Sequence, residues 1–234
     1  MTPFFGEFIG TGLVIFIGQT VVSNVVLAKT KGHNSGWIVI SFGWAMAVFI
    51  GVFFSAAASK AHLNPAVTIA FWFLKKIPGS LVPVYLAAQF LGAMMGSLVA
   101  WICYRPHFGQ TEDVNLKLAT FCTIPAIRSY WDNLVTEIIA TFVLILGVLY
   151  IASPTSSLGA LDALPVGLLV LGIGLGPGGP TGYAINPARD LGPRIMHAIL
   201  PVPGKRDSDW AYSWVPVLGP IIGCLLAALV FKAI

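Results

Sequence analysis

The tripeptide Asn-Pro-Ala occurs twice in this chain, at Asn64-Pro65-Ala66 and Asn186-Pro187-Ala188, each time between long apolar stretches. Asn is a favoured helix N-cap, and Pro is well tolerated at the first helical position, where its missing N–H has no intrahelical partner to lose. Each copy therefore predicts the start of a helix. The first is expected from Pro65 to about Lys76 and the second from Pro187 to about Ile199, roughly a dozen residues or about 18 Å each. Neither can cross a hydrocarbon core of about 30 Å alone. Two such half-helices, entering from opposite faces and meeting N-terminus to N-terminus, would span it together and place Asn64 and Asn186 at the middle.

The rest of the chain agrees with a membrane setting. Only 9% of the 234 residues are charged and 57% are hydrophobic, with a mean hydropathy of +0.86, which argues against a soluble globular domain. Six apolar runs read as spans: Phe4–Ala28, Trp37–Ser59, Leu81–Tyr104, Leu134–Ala152, the shorter Ala163–Leu175, and Tyr212–Phe231. The fold class expected is an all-α membrane protein with six transmembrane helices and two re-entrant half-helices. Phe4–Ala28 lacks a basic n-region and a small-residue cleavage site, so a retained first span and a full-length chain are expected. The net charge of +4 is spread over loops without a basic run, which gives nucleic-acid binding no support. Cys103, Cys122 and Cys224 form no CxxC pair and suggest neither a disulfide framework nor a metal site. No cofactor is expected.

The two halves repeat beyond the Asn-Pro-Ala copies. Glu7-Phe8-Ile9-Gly10-Thr11 matches Glu137-Ile138-Ile139-Ala140-Thr141, with a common Glu-x-Ile-small-Thr pattern. Three spans per half place the second copy upside down relative to the first, as an inverted repeat. The repeats are expected at about 1–104 and 133–234, joined by the loop 105–132, within a single membrane domain spanning 1–234. Orientation is open from charge: with a cytoplasmic N-terminus the inner side holds Lys60, Lys75, Lys76 and Lys232, fewer cations than the outer side, so the positive-inside rule favours the reverse.

Irregular backbone at membrane depth is tolerated only where protein buries it or a watery cavity lies beside it. The segments before the two motifs, 56–63 and 172–185, are expected to run extended and to point successive carbonyls into a narrow lane. The second holds six Gly and two Pro within residues 172–182; small residues can alternatively serve close helix packing.

Ala61-His62-Leu63-Asn64-Pro65-Ala66-Val67-Thr68 and Thr181-Gly182-Tyr183-Ala184-Ile185-Asn186-Pro187-Ala188-Arg189-Asp190 resemble the signature loops of the aquaporin family, and the resemblance covers essentially the whole chain. It implies a right-handed six-helix bundle with one pore per subunit, a homotetramer, a multi-pass location in the plasma membrane and a cytoplasmic N-terminus. Carried over by position, the family's constriction falls on Trp44, Gly174, Tyr183 and Arg189. Water channels of the family place His where Gly174 stands, so a residue without a side chain is expected to widen the opening. Trp44 and Tyr183 would face the carbon backbone of a polyol while Arg189 and loop carbonyls take its hydroxyls, a division of labour that resembles glycerol facilitators. Asp190 is also similar to that subfamily, and can equally form an i,i+4 ion pair with Arg194.

The expected activity is passive passage of glycerol, other small neutral solutes and water across the bilayer, without catalysis. Two helix N-termini, each carrying about half a positive charge, would disfavour cations at the midplane. The Asn64 and Asn186 amides would donate to a passing oxygen and interrupt a proton wire, and Arg189 would add a fixed charge. Glu7 and Glu137 need partners at bilayer depth; a proton relay and a scaffold for the loops both fit, and the resemblance implies the scaffold. His62 and Gln89 are candidates for the same scaffold, His62 alternatively for a pH gate. Lys60 stands where the family usually has Gly, and can attract anions, gate the mouth or snorkel. Tyr183 stands where glycerol facilitators usually have Phe, which opens the alternatives of a channel mainly for water, dihydroxyacetone or protonated lactic acid. An ion-coupled secondary transporter is the rival class, with little to bind a coupling ion. GxSxG, HExxH and GxxxxGK[ST] patterns are absent from the sequence.

Overall fold

The structure, a computed structural model, describes residues 1–151 and 159–234. Hydrocarbon offers no partner for backbone N–H and C=O groups, and a helix pairs them within one segment. Among the described residues there are accordingly nine α-helices and no strand: α1 (Pro3–Val26), α2 (Trp37–Ser59), α3 (Pro65–Phe73), α4 (Val82–Gln110), α5 (Val114–Ala119), α6 (Tyr130–Ile151), α7 (Leu164–Leu175), α8 (Pro187–Ile199) and α9 (Val215–Ala233). Helices α1, α2, α4, α6 and α9 are each long and apolar enough to cross a membrane. Helix α7 has 12 residues, about 18 Å. The 3₁₀ stretch Gly159–Ala163 directly before it adds about 10 Å at the steeper 3₁₀ rise, which brings the sixth crossing to membrane length.

The helix starts follow cap chemistry. Thr2 accepts from the Phe5 amide ahead of Pro3, and Asp113 accepts from Asn115 and Leu116 at the start of α5. Asn64 and Asn186 do the same for α3 and α8, each with Pro at the first position.

Helix α1 packs between α2 and α4, α6 packs against α9 and α7, and α2 against α7 joins the two groups. Each half-helix lies mainly on a long helix of the other group, α3 on α9 and α8 on α4. Several contacts are backbone to backbone. A Cβ on Gly92 would lie 2.2 Å from the Phe8 carbonyl oxygen, and one on Gly223 would lie 2.4 Å from the Ile138 carbonyl oxygen. Close approach through small residues is the usual way for helices to associate in lipid, where apolar side chains gain nothing by leaving one another's company. The large apolar side chains left outside, such as Phe42 and Phe53 of α2, Met95 of α4 and Ile139 of α6, form the surface that lipid would cover.

Several expected boundaries shift. Helix α3 ends at Phe73 because Lys75 turns left-handed (φ 57°) and the Lys76 amide folds back onto the Phe71 carbonyl. That is a glycine-type stop made by a lysine, so the sequence did not mark it. Helix α4 continues past Tyr104 and through Pro106 to Gln110, and the loop 105–132 contains α5. Helix α6 begins at Tyr130, and the expected end of its run at Ala152 lies outside the described residues. Helix α9 begins at Val215, after a turn over 210–214. The extended stretches are shorter than expected: Ala56–Ser59 and Gly172–Leu175 remain helical, residues 176–181 are turns, and the non-helical approaches to the motifs are 60–63 and 182–185.

Candidate functional site

The site begins with the two asparagines. Asn64 Oδ1 accepts from the Ala66 amide at 2.9 Å, and Asn186 Oδ1 accepts from Ala188 at 3.0 Å and Arg189 at 3.2 Å. With each oxygen committed to its own helix, the amide nitrogen is left to donate outward. Asn64 Nδ2 donates to the Ile185 carbonyl and Asn186 Nδ2 to the Leu63 carbonyl, both at 2.9 Å. The two helix starts are thereby locked tip to tip.

The backbone leading to each Asn enters the left-handed region repeatedly at non-glycine residues: Lys60 (φ 66°), Ala61 (φ 52°) and Leu63 (φ 51°) before Asn64, Tyr183 (φ 39°) and Ile185 (φ 45°) before Asn186. Such residues cost about 1–3 kcal/mol each and persist only where the surroundings hold them. Two buried carboxylates do so. Glu7 accepts from the His62 amide (2.9 Å), the Leu63 amide (2.7 Å), Ser59 Oγ (2.6 Å) and Gln89 Nε2 (2.7 Å). Glu137 accepts from the Ala184 and Ile185 amides, both at 2.9 Å, and from Thr181 Oγ1 (2.6 Å). With the amides held on the carboxylate side, the carbonyls of the same peptides are turned the other way.

The first loop has extra support. Gln89 Nε2 also donates to Thr68 Oγ1 (2.9 Å), which meets His62 Nδ1 at 3.1 Å, and Tyr85 Oη donates to the Ser59 carbonyl (2.8 Å). The sequence reading missed Ser59, Thr68, Tyr85 and Thr181. A signal was there for two of them: Ser59 and Thr181 are hydroxyl residues five positions before their respective Asn.

Beside these loops is a cavity of about 870 Å³. Trp44, Tyr183 and Arg189 line it together with Asn64, Asn186, His62, Lys60, Lys76 and Asp162. Val14, Val48, Val52, Leu144, Val148 and Val170 supply apolar wall. The lining is therefore mixed, with polar groups from the loops and apolar side chains from α1, α2, α6 and α7. The Arg189 guanidinium carbon lies 4.1 Å from the centre of the Trp44 ring, and its nitrogens take no hydrogen-bond acceptor among the described residues. Its donors are left for whatever occupies the cavity. Gly174 stands behind Tyr183: a Cβ there would meet the phenol Cζ and oxygen at 3.0 Å and Ser41 Cβ at 3.1 Å. The room that the glycine leaves is taken by the tyrosine.

Asp190, next to Arg189, faces away into protein. Its Oδ1 pairs with Arg194 Nε at 2.8 Å, and its Oδ2 accepts from the Thr123 amide (2.8 Å) and hydroxyl (2.6 Å). Arg194 also donates to the carbonyls of Ser208, Asp209 and Thr123. Asp209 is gripped in turn by both arms of Arg128, and its amide donates to Asp207 (2.8 Å), which holds that carboxyl below the usual carboxylate range. Half-helix α8, the loop before α6 and the loop before α9 are thus tied into one body behind the cavity.

The sequence profile of the family described as major intrinsic protein matches residues 1–231. The chain belongs to the major intrinsic protein family. Among its relatives, a probable glycerol uptake facilitator protein of Thermotoga maritima is 56% identical over 232 residues, covering 99% of each chain. A glycerol uptake facilitator protein of Streptococcus pneumoniae is 51% identical over 232 residues, again with 99% of each covered. The X-ray structure of the aquaglyceroporin from Plasmodium falciparum superposes with a TM-score of 0.85 at 31% identity, over 98% of this chain and 94% of that one. This major intrinsic protein is a multi-pass membrane protein, and its cavity lies among its crossing helices.

Proposed function

We propose that this major intrinsic protein is a passive channel for glycerol and other small neutral solutes, with water able to follow. The observation that carries the reading is that Arg189, stacked over Trp44 and without an acceptor for its donors among the described residues, lines the cavity together with Trp44 and Tyr183. A polyol has a hydroxyl edge and a hydrocarbon edge. The first suits the guanidinium and the turned-out loop carbonyls, and the second suits the rings and the valine wall. Relatives named as glycerol uptake facilitators, 51–56% identical over nearly the whole chain, point the same way.

In this reading Trp44, Gly174, Tyr183 and Arg189 form the selectivity filter, Asn64 and Asn186 the midplane, and Glu7, Glu137, His62 and Gln89 the scaffold of the loops. The positive ends of α3 and α8, each about half a charge, face the lane where a cation has lost most of its hydration, so cations and protons are excluded electrostatically. The halves, about 1–104 and 133–234, are inverted repeats that act as one domain, and the chain assembles as a homotetramer. Transport follows the solute gradient and involves no catalysis.

Stopped-flow light scattering on proteoliposomes tests this reading. Fast, non-saturating glycerol flux that ignores an imposed proton or sodium gradient is expected. Saturable flux driven by either gradient would assign the protein to the coupled carriers instead, and water flux with negligible glycerol flux would end the polyol reading.

A further inference from the structure

Helix α7 ends at Leu175, and the carbonyls of a last helical turn have no partner within the helix. Backbone amides take two of them: Gly176 donates to Gly172 and Gly178 to Ile173. The Gly174 carbonyl is taken by a side chain from the other half of the molecule, Nε1 of Trp37, at 2.8 Å. Trp37 is the first residue of α2, and its indole also stands edge-to-face against Tyr183, with ring centres 5.8 Å apart and planes at 85°.

The tyrosine is confined on its other sides as well. A Cβ on Gly178 would meet Tyr183 Cδ1 at 2.5 Å, so the ring lies directly on that glycine. The hydroxyl occupies the space in front of Gly174, shared with Ser41 Cβ. The phenol therefore has Trp37 on one side, glycine backbone beneath it and Ser41 at its tip, and its remaining face lines the cavity.

We infer that Trp37 is a positioning residue that sets the solute size limit by holding the Tyr183 hydroxyl in the space left by Gly174. The inference rests on the filter reading above. The indole acts through two contacts that have separate consequences. Its N–H fixes the end of α7, and hence Gly174, relative to α2, which also carries Trp44; its ring keeps Tyr183 from tilting toward the cavity or away from it. The aperture is thus decided by a residue that does not itself line the cavity, and the width that a bare glycine suggests is reduced by the phenol in front of it.

The test compares permeability to glycerol and to the four-carbon polyol erythritol in proteoliposomes of the full chain. Trp37→Phe keeps a ring and removes the N–H; it is expected to raise the erythritol-to-glycerol ratio by about threefold or more, the size of a modest pocket change. Trp37→Ala is expected to raise it further. Because the effect passes through Tyr183, adding Trp37→Phe to Tyr183→Phe should change the ratio less than it does in the wild type, a coupling that a merely structural residue would not show. An unchanged ratio in Trp37→Phe, or an equal change in both backgrounds, would overturn the inference while leaving the filter intact. If Tyr183→Phe alone leaves the ratio unchanged, the filter reading itself fails. Gly174→Ala probes the same space without touching α2: its methyl must push the phenol, and a fall in glycerol relative to water permeability is expected. Unchanged glycerol relative to water permeability in Gly174→Ala also overturns the inference, and that variant decides the matter if the Trp37 variants fail to insert.

Discussion

Arg189 lies 4.1 Å above the Trp44 ring, and its nitrogens have no hydrogen-bond acceptor among the described residues. A planar guanidinium stacks on indole while leaving its in-plane donors free, and a lysine ammonium cannot do both. A desolvated contact of this kind is worth about 2 kcal/mol. Arg189→Lys is therefore expected to lower glycerol permeability by about tenfold, which corresponds to about 1.4 kcal/mol, with a smaller effect on water. Equal losses for the two permeants in paired stopped-flow traces would show that the guanidinium does not discriminate.

Asn186 spends its oxygen on its own helix and its amide on the Leu63 carbonyl. Asn186→Asp keeps the cap but sets a carboxylate against that carbonyl oxygen. Loss of folded protein or of solute selectivity is expected, measured as detergent-soluble yield and as glycerol flux against ion leak. Wild-type glycerol flux with unchanged ion exclusion would contradict the midplane role.

The Asp190–Arg194 pair is fully buried. Removing one member of such a pair strands the other charge and typically costs about 3–5 kcal/mol. Asp190→Ala also orphans the Thr123 amide and hydroxyl. A marked drop in thermal unfolding temperature in detergent is expected, larger than for Arg128→Ala, whose side chain is about one-third exposed. Similar Tm values for the two variants would refute the ranking.

Gly92 brings α4 against the Phe8 carbonyl. A methyl at 2.2 Å from a backbone oxygen cannot be absorbed by a rotamer change, so α1 and α4 must separate. Overpacking of this sort costs about 1–3 kcal/mol or more. Gly92→Ala should lower the unfolding temperature, and Gly223→Ala should do the same at the matching contact of α6 and α9; Gly109→Ala, at a site with open space around it, is the control. A drop in the control as large as in the other two would point to a cause other than the close backbone contacts.

Local chemistry made part of this readable in advance. Asn followed by Pro starts a helix wherever it falls, because the cap and the fixed φ act within one turn; α3 and α8 begin where the sequence says. The stop of α3 was not readable, since Lys75 adopts the left-handed turn usually left to Gly. Helix α7 looked short and is, and the 3₁₀ stretch directly before it adds to the length of the crossing. Glu7 and Glu137 stood out as charges in apolar runs, but Ser59, Thr68, Tyr85, Thr181 and Thr123 did not, because a hydroxyl is common and its partner is chosen by the fold.

The sequence alone determined the membrane class and the starts of the two half-helices, since the first follows from composition and the second from residues within a turn of one another. Tertiary structure decided what those elements do together. The bond from Asn64 to Ile185 closes over 121 positions and that from Trp37 to Gly174 over 137. Whether Gly174 faces open space or a phenol depends on where Tyr183 comes to rest. No local rule reaches that far: the partner of a side-chain donor, and the occupant of the space beside a glycine, are set by which helices pack and at what depth.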